Sequence, residues 1–570
     1  MSKITDRRLL LITSLTFFLM SFSLISLIGA PINGYELSIY QATPPIFWIA
    51  MIIGLINGAL LYYRCYQRND KLWIIGLFQV LVCNIMILSV SILRGFFYLQ
   101  RMDSITYVGY SKDILIYGSI PEYNFYPLNT LLITIISDIT NLSLIHSAIL
   151  LPSFFLLIFI LSVCIWSRSI SREPIFVAAM SLSSFIIIFA WFVPSIYYET
   201  FCVLMLPLFL YFIHKAELQN IRYMIIAIIL FALFTLSHIL VAFGLLLFLI
   251  IFFLSEKYVN SERRTVTIPL LLICIAILLL WVLNQVSLTH SIIRVLNQIF
   301  GLSPNITTFT SFENIASRAG LWNTVQSVIA CTIDDVIYIA LALWASFIIF
   351  RNNWRRNPVT KYFACLIGGM LFLLVLILTS YTHNPFRLIN LNFVMIFTFP
   401  LIAFLVLFKL KQRRVNTVRF VILLILVSLV ASTFSIYPDP IQFNPNLTIT
   451  ASETSGANWL INQKDQYTNT SVIQTSIQRF SDLIYGHIYT VDNIRSLLEN
   501  ETTNHFATIM SSNETVEDTY QIVSTFDEEA YNQVWKNSNR FVNEDFQALA
   551  LSNMVNKNYE NGGFSCYLRE

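Results

Sequence analysis

Charge is scarce in this chain. Of its 570 residues only 12% are Asp, Glu, Lys or Arg, whereas 56% are hydrophobic and the mean hydropathy is +0.68. Soluble domains carry about 25% charged residues, which excludes a single water-soluble globule. Cysteine is scarce as well: the eight residues form no Cys-x-x-Cys pair, and Cys566 alone lies beyond residue 437. That spacing excludes a disulfide framework and a thiolate metal site. No Walker loop occurs and no Gly-x-Gly-x-x-Gly opens a helix. An ATP-driven pump acting alone is therefore excluded, and nothing points to a nucleic-acid partner.

What the chain has instead is aromatic and aliphatic surface, including 46 Phe and 27 Tyr, and an uneven charge. Residues 1–437 hold 28 Lys+Arg against 15 Asp+Glu, whereas 438–570 hold 7 against 17. A basic membrane part is joined to an acidic tail. Crossing a hydrocarbon core takes about 20 apolar residues. Such stretches run over 9–30, 45–63, 73–93, 143–166, 174–193, 198–214, 266–287, 325–350, 360–381, 388–408 and 419–437. The apolar run 223–254 is too long for one span at 1.5 Å per residue. Broken at Ser237-His238, it becomes two short spans, 223–236 and 239–254, with Lys215, Arg222, Lys257, Arg263 and Arg264 all on one side. This predicts a mostly α, polytopic protein of about thirteen spans.

Positive charge orients it. Twenty-two of the 28 basic residues before the tail fall on alternate loops, expected to be cytoplasmic with the N-terminus. The tail is then expected outside, as a small extracytoplasmic α/β domain over 438–570 that docks or shields. Asn-x-Ser/Thr sequons at Asn141, Asn305, Asn446, Asn469, Asn500 and Asn513 all fall on segments expected outside. They are N-glycosylation candidates, although chance produces sequons in Asn- and Thr-rich sequence.

Between spans, the outer segment 94–142 is not plain loop. Asp103, Tyr107, Tyr110, Ile114 and Tyr117 recur at helical spacing, Gly118 and Pro121 stop that helix, and 128–139 forms a second short apolar helix. Both suit helices lying along the outer leaflet. Asp103, flanked by Arg101 and followed by Asp113, stands at headgroup depth, where it reads either as a helix N-cap or as a catalytic base. Arg387, after His383 and Pro385 at the mouth of span 388–408, suits a phosphate or a snorkelling interfacial arginine.

The segment RMDSITYVGYSKDI followed by YNFYPLNTLL resembles the first outer loop of GT-C-type membrane glycosyltransferases, which use polyprenyl-phosphate sugars. An Arg-x-Asp/Glu element and a Tyr-Pro element, here Tyr126-Pro127, lead into a helix in microbial members. The outer loop 288–324, HNPFRLINLNF at 383–393, and the tail segments SGANWLINQKD and NKNYENGGFSCYL are similar to that architecture. The resemblance implies transfer of a sugar from a lipid-linked donor to a glycan, lipid or protein acceptor on the extracytoplasmic face of the cell membrane. It implies Asp103 as general base with Asp113 nearby, Arg387 and Arg101 on the donor phosphate, and His238, His383, Glu313 and Tyr126 lining the cavity.

The sequence departs from the pattern in an extra hairpin, 9–63, before that loop. It also lacks a Trp-Trp-Asp-Tyr-Gly motif in the tail and an Asp-x-Asp pair in the loop. Asp103 and Asp113 lie about 80° apart on an ideal helix, so no motif requires a divalent metal, and cofactors stay open. A transporter or lipid flippase, or a non-catalytic member of the superfamily, is the alternative.

Overall fold

The computed structural model describes residues 2–186, 193–216, 221–258, 265–285, 320–352, 357–378, 393–463, 469–494, 519–536 and 540–569, with 289–290, 293, 297, 500–502 and 506. Each of the thirteen apolar stretches overlaps a described helix, some only in part: α1 (Ser2–Ile28), α2 (Pro45–Gln67), α3 (Trp73–Leu88), then α6 (Leu144–Ile170) to α15 (Val415–Thr433). Between α3 and α6 lie α4 (Asp103–Tyr117) and α5 (Pro127–Thr140), the pair anticipated in the first large loop. Among the described residues, eight helices are long and apolar enough to cross a membrane, α5 and five other apolar helices being shorter. The protein is a multi-pass helical membrane protein with a small sheet near its C-terminal end.

The run 223–254 does break. Helix α9 (Ile221–Ser237) ends where expected, and α10 (Ile239–Tyr258) begins one residue after His238. Their directions follow from what each end touches. Ser237 donates to the carbonyl of Tyr198, at the start of α8 (Tyr198–Ala216). At the far end of α10, Glu256 pairs with Lys361 at 3.2 Å. The neighbouring Tyr362 hydroxyl lies 2.7 Å from Nε2 of His214, in the last turn of α8. The chain therefore reverses at His238, and both apolar arms return to the same face of the bundle.

The extra N-terminal hairpin is held by polar side chains, as helices in lipid have little hydrophobic reason to associate. Nδ2 of Asn57 on α2 donates to Thr13 Oγ1 at 3.1 Å and Gln79 Oε1 at 2.9 Å, and Gln79 Nε2 donates to Thr16 Oγ1 at 2.8 Å. This links α1, α2 and α3 across one buried layer. Close approach adds to it: a Cβ on Gly58 of α2 would sit 2.9 Å from the Gly76 carbonyl, so α2 and α3 meet backbone to backbone.

Further along the chain are α11 (Ile268–Asn284), α12 (Leu321–Arg351), α13 (Thr360–Leu378) and α14 (Thr398–Lys411), with α7 (Pro174–Ser183) packed beside α14 and α2. Helix α12 begins well before Asp334, which is 3% exposed, so this carboxylate is interior rather than at the helix end.

Beyond α15 the chain returns over the bundle. Asp439 accepts a hydrogen bond from Ser38, and Ile449 bridges to Tyr98. Helix α16 (Ala451–Gln463) lies on the sheet, where Gly456 lets the Phe564 ring pack against its backbone. The five strands are β1 (Asn469–Val472), β2 (Asn500–Thr502), β3 (Thr519–Ser524), β4 (Asn556–Glu560) and β5 (Phe564–Arg569), in the order β2-β1-β3-β5-β4. Strand β1 is parallel to β2 and β3, whereas β5 is antiparallel to β3 and β4. In the sequence Ser471–Gln474, Tyr520–Thr525 and Phe564–Leu568 read as short β-like runs, and they fall on β1, β3 and β5 within two residues. The sequence reading left β2 and β4 unmarked because both are polar and short.

Candidate functional site

Helix α4 carries the first element of the site. Its N-cap is Met102, which makes no side-chain cap bond, and Asp103 takes the first helical position. The helix-cap role expected for Asp103 therefore falls away. Its carboxylate remains favourably placed against the helix dipole. Asp103 instead meets the tail: Nη2 of Arg479 lies 2.6 Å from its Oδ1, the side chains being 49% and 31% exposed. The helix ends at Gly118, whose φ of 67° is the left-handed conformation that terminates helices without strain.

Two further elements converge there. Glu199 lies in the first turn of α8 and faces His238 at the reversal of the α9–α10 hairpin, Oε1 to Nε2 at 3.4 Å. Nδ1 of His238 accepts the backbone N–H of Val241, capping α10 and leaving the neutral ring's proton on Nε2, toward Glu199. Tyrosines close the space between. The Tyr126 ring is 5.1 Å from His238 and 4.9 Å from Tyr198, which in turn lies 3.9 Å from Tyr107. Burial pushes the Tyr107 hydroxyl well above the usual phenol range, and the charges of Asp103 and Glu199 push it the same way. Both carboxylates thus bear on one cluster of packed tyrosines. Behind it, Tyr197 donates to Gln100, and its carbonyl accepts from Asn129 Nδ2 at 2.6 Å. Among the described residues, no three His, Cys, Asp or Glu side chains come together to hold a metal ion.

The tail reaches this cluster through α17 (Ile477–Tyr485), which lies along α4. Gly109 makes the approach possible, since a Cβ there would sit 2.8 Å from the Asp482 carbonyl oxygen. Thr106 donates to Asp482 Oδ2 at 2.8 Å, and Lys112 donates to the Ile484 carbonyl. Asp113 Oδ2 accepts the backbone N–H groups of His487 and Ile488 at 3.0 and 3.1 Å. The chain turns into these donors at Gly486, with φ at 98°.

No family model matches the chain. No curated protein matches it either. Solved structures do. ArnT from Cupriavidus metallidurans, bound to undecaprenyl phosphate, superposes with a TM-score of 0.51 at 11% identity, covering 87% of this chain and 98% of that one. The Archaeoglobus fulgidus oligosaccharyltransferase, in complex with zinc and sulfate, has a TM-score of 0.49 at 11% identity, over 81% of this chain and 70% of its own. This chain has the fold of ArnT.

On that fold, three of the residues picked from sequence come together: Asp103, His238 and Tyr126. Two do not join them. Arg101 turns toward the tail, its Nη2 2.7 Å from Glu453 Oε1 and its guanidinium 4.0 Å over the Phe526 ring, with only 9% of the side chain exposed. Asp113 is 1% exposed and committed to the tail's backbone. Arg387, His383 and Glu313 lie outside the described residues, as do Asn305 and Asn513. Asn141 is exposed at the end of α5, whereas Asn446 is fully buried with Nδ2 on the Glu36 carbonyl, which leaves no room for a glycan in the folded chain. Asn469 and Asn500 stand on β1 and β2. Glu199 and Arg479 escaped the sequence reading. An acid at the edge of a span and an arginine on a nine-residue helix both resemble ordinary solvated charge.

Asp113 makes the docking of the tail pH-dependent. Burial raises its pKa, more than the His487 and Ile488 N–H groups lower it, with the Asp482 charge also raising it. A raised folded-state value means that its contribution is full below the unfolded pKa and declines as pH rises through the folded one. Amide exchange at His487 and Ile488 should therefore quicken as pH rises through the acid range, after correction for intrinsic exchange. In Asp113→Asn that dependence should flatten. An identical pH profile in the two would remove Asp113 as its source.

Proposed function

We propose that the protein is a glycosyltransferase that moves a sugar from a polyprenyl-phosphate donor to an acceptor at the extracytoplasmic membrane face. The observation that carries this reading is the convergence of Asp103, Glu199 and His238 on one cluster of packed tyrosines at the end of the helical bundle that faces the tail. The orientation, N-terminus inside and residues 438–570 outside the membrane domain 1–437, is supported by the basic residues on alternate loops. A GT-C neighbour bound to undecaprenyl phosphate supports the donor class.

In this reading Asp103 accepts the acceptor's proton as the acceptor oxygen bonds to the anomeric carbon. The bond from that carbon to the phosphate oxygen breaks, its electron pair leaving on the phosphate, which needs cationic stabilisation. Arg387 is proposed for that role. Glu199 holds His238 by its Nε2 proton, and His238 and Tyr126 wall the cavity. His383 and Glu313 are proposed to line it as well. Asn141, exposed at the end of α5, is a proposed glycan site, as are Asn305, Asn469, Asn500 and Asn513.

The test is consumption of a panel of polyprenyl-phosphate sugars by the purified chain in nanodiscs, read as release of free polyprenyl phosphate. Wild type should turn over at least one donor, and Glu199→Gln, which loses the anionic partner of His238, should slow it by about tenfold. Absence of release across hexose and pentose donors, with a range of lipid and peptide acceptors, would count against the reading.

A further inference from the structure

A sugar-phosphate donor brings a dianionic leaving group, and the described residues offer few cations to meet it. Arg101, the arginine nearest Asp103 in sequence, is committed: its guanidinium is sandwiched over Phe526 and tied to Glu453. Lys112 is spent on the Ile484 carbonyl. The cation that does touch Asp103 comes from the tail. Arg479 places Nη2 2.6 Å from Asp103 Oδ1, reaches the Arg101 carbonyl with Nη1 at a long 3.5 Å, and keeps its side chain 31% exposed. Its Nε makes no hydrogen bond among the described residues.

The helix that presents it is positioned by several independent contacts. Gly109 admits α17, Thr106 bonds Asp482, and Asp113 takes the His487 and Ile488 N–H groups. Holding a nine-residue helix this closely against α4 leaves Arg479 beside Asp103 with one strong side-chain contact and a partly exposed guanidinium.

We propose that Arg479 is a phosphate ligand of the lipid-linked donor, so that the tail completes the site instead of only shielding it. This rests on the transferase reading above and names a residue of the same site. The guanidinium has a planar fork that suits two phosphate oxygens, which a single carboxylate contact leaves partly unused. On donor binding, one N–H edge stays with Asp103 while the other meets the phosphate, and base and leaving group share a single positioned cation.

The experiment measures binding without turnover. Undecaprenyl phosphate, free of sugar, is titrated into the full chain in nanodiscs, with inorganic phosphate as a second arm. Arg479→Ala should weaken lipid-phosphate binding by about ten- to a hundredfold, the value of a charge-assisted hydrogen bond, with Arg479→Lys in between. Amide protection at His487 and Ile488 reports whether the tail is still docked.

Wild-type affinity in a docked Arg479→Ala overturns the proposal, as does absence of lipid-phosphate binding by the wild type. Equal affinity for inorganic phosphate, with the same sensitivity to Arg479→Ala, overturns the assignment to a lipid donor. Binding that needs Arg479 in a chain that consumes no donor sugar sustains this proposal and removes the transferase reading. Turnover by the wild type, with affinity unaffected in docked Arg479→Ala, does the reverse.

Discussion

Asp103→Asn in the full, folded chain should lower donor consumption by about a hundred- to ten-thousandfold, the range a general base contributes. The substitution keeps shape and size and removes only the charge and the proton-accepting oxygen. Asparagine can still accept from Arg479 through its carbonyl, so the 2.6 Å tail contact is weakened rather than abolished. That separates chemistry from docking. If kcat falls while lipid-phosphate affinity and His487 amide protection hold, the loss lies in proton transfer. If both fall together, Asp103 is a docking residue and the base lies elsewhere, with Glu199 next in line. A fully active Asp103→Asn would leave Asp103 only its pairing with Arg479, because Met102 and not Asp103 caps the helix.

The helical architecture was legible because lipid imposes its own arithmetic. A 32-residue apolar run with basic clusters at both ends cannot be one span, and the break fell at Ser237-His238, where the chain reverses. Gly118 was legible as a helix stop because few other residues reach its backbone angles cheaply. The site was legible only in half. Asp103 announced itself as the head of an aromatic stripe, and Tyr126 as part of a Tyr-Pro turn.

Contacts between distant segments leave no such mark. Arg101 and Arg479 are both arginines beside aromatic and acidic neighbours in sequence. Which of them faces Asp103 depends on where α17 lands on α4. The partnership of Glu199 with His238 depends in the same way on α8 and the α9–α10 reversal meeting at one depth. Periodicity reports on one helix at a time, and these pairs arise from packing between helices nearly 40 and nearly 380 residues apart.

That dependence on packing is open to a direct test at Gly109. A side chain there has nowhere to go: an added Cβ would lie 2.8 Å from the Asp482 carbonyl oxygen and 3.0 Å from its carbonyl carbon and Cβ. Two of those three atoms are backbone, so α17 itself must move, unlike a flexible side chain that could swing away. Gly109→Val should therefore destabilise the docked tail by about 1–3 kcal/mol, the usual cost of overpacking a well-packed contact. The consequence should spread along α17 in both directions. Toward the C-terminal end, Asp113 should lose the His487 and Ile488 N–H groups, and both amides should exchange faster. Toward the N-terminal end, Arg479 should leave Asp103, so a variant that changes no charge and touches no substrate should lose donor affinity much as Arg479→Ala does. Gly109→Ala should do the same more weakly, because it adds the obstructing Cβ without the branch. If Gly109→Val frees the amides yet leaves lipid-phosphate binding intact, the tail is a detachable cover and the site is built from the helical bundle alone.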